Sequence, residues 1–224
     1  MFKKRAVIFL IAGIIAICAA AYICKDYIAI YAVSKKYNLE ISYKGLKRLS
    51  LDKVEFRDLK IVEKKTGLGL FSKNAAITFD KKTSFDFRDV GFVGSPKGAA
   101  PAYDNIIELS AMPFNSRWTY KEISGSVSES SEGLTIDNFM ATGDDVKLTF
   151  TGTVHHDDTV NADIIIYFSD KLTRKIPKSL STIALTGEKG GWTSLTVTVK
   201  GDYRKPSIQV SSKLFRLSIK EVVR

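Results

Sequence analysis

His155, His156, Asp157 and Asp158 are the one dense group of metal-ligand side chains in the chain. Imidazoles and carboxylates of this kind bind zinc or pass protons. Both roles need convergence on one point, and successive strand residues point to opposite faces. The quartet sits between two alternating runs and reads as a solvated hairpin turn. Ser128, Ser130 and Ser131 lie in a polar stretch without a GxSxG elbow. Neither histidine has a sequence context that supplies a nucleophile and an orienting group. Gly190-Gly191 before Trp192 reads as a turn, not a phosphate loop. The expectation is therefore a non-enzyme with no catalytic residue, no metal and no cofactor.

The runs flanking the quartet are more informative. Val146, Leu148, Phe150 and Val154 recur at even positions among Lys147, Thr149, Thr151 and Thr153. Val160, Ala162, Ile164, Ile166 and Phe168 do the same on the far side. Such alternation makes a strand with one dry and one wet face, and two such runs around a polar step make a hairpin. In the second run the wet face turns apolar at Ile165 and Tyr167, so something should cover it; the segment 170–180, a candidate short helix limited by Pro177, is the natural cover. Leu195, Val197 and Val199 alternate equally cleanly with Ser194, Thr196, Thr198 and Lys200.

Alternating runs also fill much of the chain from residue 37. LEISY at 39–43 and LSLDKVEFRDLKIVE at 49–63 open the series; in the latter the apolar phase changes between Leu51 and Val54, as a bulge would require. KNAAITFD, SFDFRDVGFVG, NIIELSAMPF, RWTYKEISGSV and GLTIDNFMATG follow, and STIALTG, WTSLTVTVKG and PSIQVSS close it. About nine to twelve consecutive strands favour antiparallel neighbours. The expected fold is mainly β: one long, twisted, mostly antiparallel sheet with an open apolar groove, behind an N-terminal membrane helix.

That helix rests on the stretch from Ala6 to Cys24, 19 residues without a charge. It approaches the ~20 residues needed to cross a bilayer core. Lys3, Lys4 and Arg5 precede it, placing the N-terminus in the cytoplasm and the domain from residue 37 to 224 across the membrane. The helix could continue to residue 33, completing an anchor over residues 1–36. Ala19 and Ala21 before Tyr22 leave open a cleaved signal peptide. Half of the formal charge of +10 belongs to this anchor, as Lys3, Lys4, Arg5, Lys25, Lys35 and Lys36 against Asp26. The rest is too mild to argue for nucleic acid. The only two cysteines, Cys18 and Cys24, both lie within the apolar run, so none is left to bridge the domain. Trp118 and Trp192 fit core or sheet-edge aromatics better than interface anchors. Lys171, Arg174, Lys175 and Lys178 could touch anionic headgroups.

One run has a recurring grammar. In ISGSVSESSEGLTIDNFMATGDDVKLTFTGTVHHDDTVNADIIIYFS, strands end or enter at Gly125, Gly133, Gly143 and Gly152. GWTSLTVTVKGDYRKPSIQV places a strand into Gly201, a polar step, then Pro206 and a last strand. With LSLDKVEFRDLKI after an apolar N-terminal segment, the layout resembles the AsmA-like, TamB-related proteins of the Gram-negative envelope. The chain is far shorter than the large members, and the type II secretion protein N has a similar layout. The resemblance implies an inner-membrane anchor and a periplasmic β-sheet whose groove carries lipid acyl chains. Expected lipid-facing residues are Val146, Leu148, Phe150, Ile164, Ile166, Phe168, Leu195, Val197 and Val199. Expected partners are the bilayer through residues 6–24, a phospholipid or other envelope lipid, and envelope-assembly proteins. The alternative function is a scaffold subunit of an envelope machine, with the apolar face an ordinary core.

Overall fold

The computed structural model describes residues 34–35, 38–48, 52–65, 67, 69–94, 105–114, 118–202, 207–212 and 216–220. The apolar span at 6–24, its continuation to 33 and both cysteines lie outside the described residues. Among the described residues, no helix is long and apolar enough to cross a membrane.

The described strands are β1 (Leu39–Ser42), β2 (Gly45–Arg48), β3 (Lys53–Glu63), β4 (Gly69–Phe79), β5 (Thr83–Val93), β6 (Thr119–Ser130), β7 (Gly133–Thr142), β8 (Val146–His155), β9 (Thr159–Phe168), β10 (Thr186–Gly187), β11 (Thr193–Asp202), β12 (Ser207–Ser211) and β13 (Arg216–Lys220). They form one antiparallel sheet of 13 strands, in sequence order apart from the two short side strands β2 and β10. β1 and β2 both pair with β3, one with each half, so together they make an interrupted edge. The opening hairpin is β8–β9, in register from Val146 opposite Phe168 to Val154 opposite Val160.

Two segments read as strands, NIIELSAMPF and STIALTG, differ, and the candidate helix at 170–180 is broken in two. In NIIELSAMPF, α1 (Ile106–Ala111) leads into a single 3₁₀ turn at Met112–Phe114. Asn105 caps it, its side chain accepting from the Glu108 N–H at 2.9 Å. Ile106, Leu109 and Met112 recur at three-residue spacing, a helical period that outranks the strand reading. Segment 170–180 splits at Pro177 into α2 (Asp170–Thr173) and α3 (Lys178–Ala184). Pro177 has no N–H to give, so it stands outside α3 as its N-cap. STIALTG is thus mostly helix, and only Thr186 and Gly187 remain as strand.

α1 joins β5 to β6, and α2 and α3 lie between β9 and β10, so all three emerge at one end of the sheet. Tight hairpins at 80–82, 131–132 and 156–158 mark the other end. Leu109 and Met112 with their 3₁₀ turn, and Leu172, Ile176 and Ala184, share one buried cluster with Val90, Tyr120, Val146, Phe168 and Leu195. The helices therefore cover the apolar face at the helical end. They do not cover the outer side of Ile165 and Tyr167, the role expected for segment 170–180.

The phase change expected between Leu51 and Val54 falls on Leu51, which lies outside the described residues; a change of apolar phase does occur inside β3. Val54 and Phe56 give way to Leu59 and Ile61 across Arg57 and Asp58. Asp58 has φ 51°, a left-handed conformation that Asp tolerates better than most residues. In β5 the same step falls between Phe87 and Val90, with Asp89 also at φ 51°. β4 follows in register, so the two-residue step crosses neighbouring strands together. Buried Ser72 seals it, its hydroxyl lying 2.7 Å from the Asn74 carbonyl and 2.9 Å from that of Arg88.

Candidate functional site

The metal-ligand quartet closes a turn. His155 ends β8, and Asp157 accepts from the Thr159 N–H at 3.0 Å and its hydroxyl at 2.6 Å. The Thr159 hydrogen bonds hold the Asp157 carboxyl below the ordinary carboxylate range. His156 Nε2 sits 3.3 Å from the Ser130 carbonyl, across to the neighbouring hairpin. Among the described residues, no three His, Cys, Asp or Glu side chains gather where an ion could be held.

The nine residues expected on the apolar face do share that face. Leu148 stands opposite Ile166, Phe150 opposite Ile164, and Leu195 and Val197 carry the row onto β11. They have two fates. Val146, Leu148, Ile166, Phe168, Leu195 and Val197 are core, with Phe168 and Leu195 wholly buried. Phe150, Ile164 and Val199 are half-buried and nearer the hairpin end, Ile164 and Val199 packed against the core's margin. The physical reason is the placement of the long connections: helices fold over the near half of each strand, and the hairpins opposite are too short to fold back.

The uncovered half is lined by aromatics that the β8–β9 hairpin alone did not reveal. Phe85 lies 5.5 Å from Phe87 and 6.0 Å from Phe139, and Phe139 lies 6.0 Å from Phe150, centroid to centroid. These rings come from β5, β7 and β8, and each pair adopts a tilted or edge-on geometry that suits aromatic packing. Gly125 on β6 leaves room for the row: a Cβ there would lie 2.7 Å from the Phe85 ring. Ile164, Val199 and Ile208 extend the half-buried strip to β12. The signal was legible as phenylalanines at alternate positions in SFDFRDVGF; what it lacked was their registration with β7 and β8.

A second uncovered region lies on the same face at the helical end. Leu39, Ile61, Leu70, Phe92 and Val93 line a largely apolar pocket of about 450 Å³ beside the sheet edge. β1 starts at this same end, where the Ser34 hydroxyl donates to the Leu39 carbonyl at 2.6 Å.

The opposite face is polar and ion-paired. Arg88 reaches Asp86 at 2.8 Å and Glu122 at 3.0 Å, and Lys82 reaches Asp137 at 2.8 Å. One exception is the patch around Ile165 and Tyr167, where the 186–192 arm carries Trp192. Comparison with known proteins returned no match: no family model, no curated protein and no solved structure.

Proposed function

We propose that the chain is an inner-membrane-anchored periplasmic protein that binds or passes envelope lipid, holding acyl chains on the uncovered half of its sheet. The observation that carries this reading is the half-buried strip of Phe85, Phe87, Phe139, Phe150, Ile164 and Val199, which lies towards the hairpin end, away from the helices among the described residues. An apolar strip of this kind gains about 25 cal/mol for each Å² it removes from water. The apolar segment at 6–24 makes a bilayer the nearest source of apolar ligand. The resemblance of the glycine pattern to that of AsmA-like proteins is in keeping with this reading. The mechanism is passive: chains lie across the rings while the headgroup stays in water, and no residue performs chemistry. Native mass spectrometry of the full chain, gently extracted, tests this. Co-purifying phospholipid that is lost on Phe150→Asp supports the reading; a lipid-free chain counts against it.

The second reading is a scaffold subunit of an envelope assembly, such as a secretion system. Its favouring observation is that helices already fill the helical end with a closed core. On that reading envelope-assembly components are captured by the full chain, and Phe150→Asp leaves lipid content unchanged.

A further inference from the structure

The polar face carries a cleft that the apolar groove does not explain. It measures about 480 Å³ and is lined by Met140, Lys147, Thr149, Tyr167, Glu188, Lys189 and Trp192. Lys147, Thr149 and Tyr167 alternate with the core residues Val146, Leu148, Ile166 and Phe168, so the cleft lies on the other side of the sheet from the groove. Its volume falls within the range of small-molecule sites.

The far wall is a built arm. β10 pairs Thr186 with Ser194 and Gly187 with Thr193. The chain then turns at Gly190 and Gly191, with φ 73° and 78°, conformations that suit glycine. The Glu188 N–H donates to the Trp192 carbonyl at 2.8 Å and closes the arm. Buried Ser194 donates to Glu188 Oε1 at 2.7 Å, tying that carboxylate down to the sheet. Lys147 Nζ stands 3.9 Å from the Trp192 ring centroid, a cation–π contact.

The contents of the cleft are uneven. Trp192, Tyr167 and Met140 offer apolar surface, and Met140 is 46% exposed. Lys147 and Lys189 bring two ammonium groups with no ion pair among the described residues, whereas the one carboxylate, Glu188, is engaged with Ser194. A ligand that satisfies both features has an anionic group for the lysines and an apolar body for the rings. We propose that this cleft binds a phosphate ester with an apolar or ring-bearing substituent. The source is either a lipid headgroup or a free phosphate ester. Charge-assisted contacts to Lys147 and Lys189 hold the phosphate, and the arm fixes Trp192 against the rest.

The test uses the full chain in a non-ionic micelle. Trp118 and Trp192 are the only tryptophans. Among the described residues the buried Trp118 indole N–H has no hydrogen-bond partner, and Trp118→Phe leaves Trp192 as sole reporter. Dihexanoyl phosphatidylglycerol, sn-glycerol 3-phosphate and inorganic phosphate are titrated separately against Trp192 emission. The expected result is a saturable change with at least one of the two esters. Tighter binding of the lipid assigns a headgroup source, and equal binding of glycerol phosphate assigns a free ester. Lys147→Gln with Lys189→Gln weakens the tighter probe at least tenfold, Lys147→Arg restores it, and Lys60→Gln on distant β3 leaves it unchanged. No saturable response to either ester, or unchanged affinity in the double Gln variant, overturns the proposal. Because the cleft and the groove occupy opposite faces, a chain whose groove takes no lipid still shows this response.

Discussion

Tyr120 shows how a single side chain holds a helical connection to the sheet. It is almost wholly buried, its hydroxyl donates to the Pro113 carbonyl at 2.8 Å, and its ring meets Phe92 edge-on at 5.9 Å. One residue thus ties the turn after α1 to the sheet. Burial raises its phenol above the ordinary value of about 10. A raised phenol stays neutral in the fold and ionises first in the unfolded chain. Its contribution is complete below about pH 10 and is lost as pH rises beyond it. Denaturant melts across pH should show stability falling above about pH 10, with a shallower fall in Tyr120→Phe. At neutral pH that variant should cost about 1 kcal/mol for the lost hydrogen bond. Gly152 supplies a sharper test of register. A Cβ there would stand 2.6 Å from the Ala162 Cβ, its partner across the β8–β9 pair. Gly152→Ala should destabilise by about 1–3 kcal/mol through overpacking, and adding Ala162→Gly should recover part of it in the same thermal melt.

At the scale of elements, what decided the fold was where the long connections fall. Leu109 in α1 and Leu172 in α2 are both nearly inaccessible. Truncating either to Ala should cost about 2–5 kcal/mol, read as a shift in the urea midpoint at unchanged slope. Each such variant should also expose the helical end of the face to an apolar dye. The strands were legible because alternation at period two is a strong local signal: the β8–β9 pairing follows from Val146 to Phe168 alone. α1 was not, because NIIELSAMPF is short; the three-residue spacing of Ile106, Leu109 and Met112 and Asn105 as a cap were the available clues. The turn of the 170–180 segment onto the core rather than the outer face was also hidden. Both faces around Tyr167 are apolar, and only tertiary packing chooses between them. The left-handed steps were written in plain sight. Phe-Arg-Asp occurs at 56–58 and again at 87–89, each before an aliphatic residue, and each Asp has φ 51°.

For the whole molecule, the sheet is a core at one end and an uncovered apolar strip at the other. That division sorts the expected lipid-facing residues mainly by position along the strands: Val146, Leu148, Ile166, Phe168 and Leu195 lie towards the helical end, Phe150, Ile164 and Val199 towards the hairpins. Val197, level with Ile164, is buried all the same. On the proposed reading, the core fills the helical end of β8, β9 and β11, so along these strands lipid should contact the hairpin half alone. Site-specific photocrosslinking measures this most directly. A benzophenone amino acid is placed at Phe150 on the uncovered strip, or at Thr151, its exposed neighbour on the opposite face, in the full chain within native membranes. The account predicts a phospholipid adduct from position 150 and none from position 151. Equal adducts at both positions, or none at 150 in a folded chain, would contradict it.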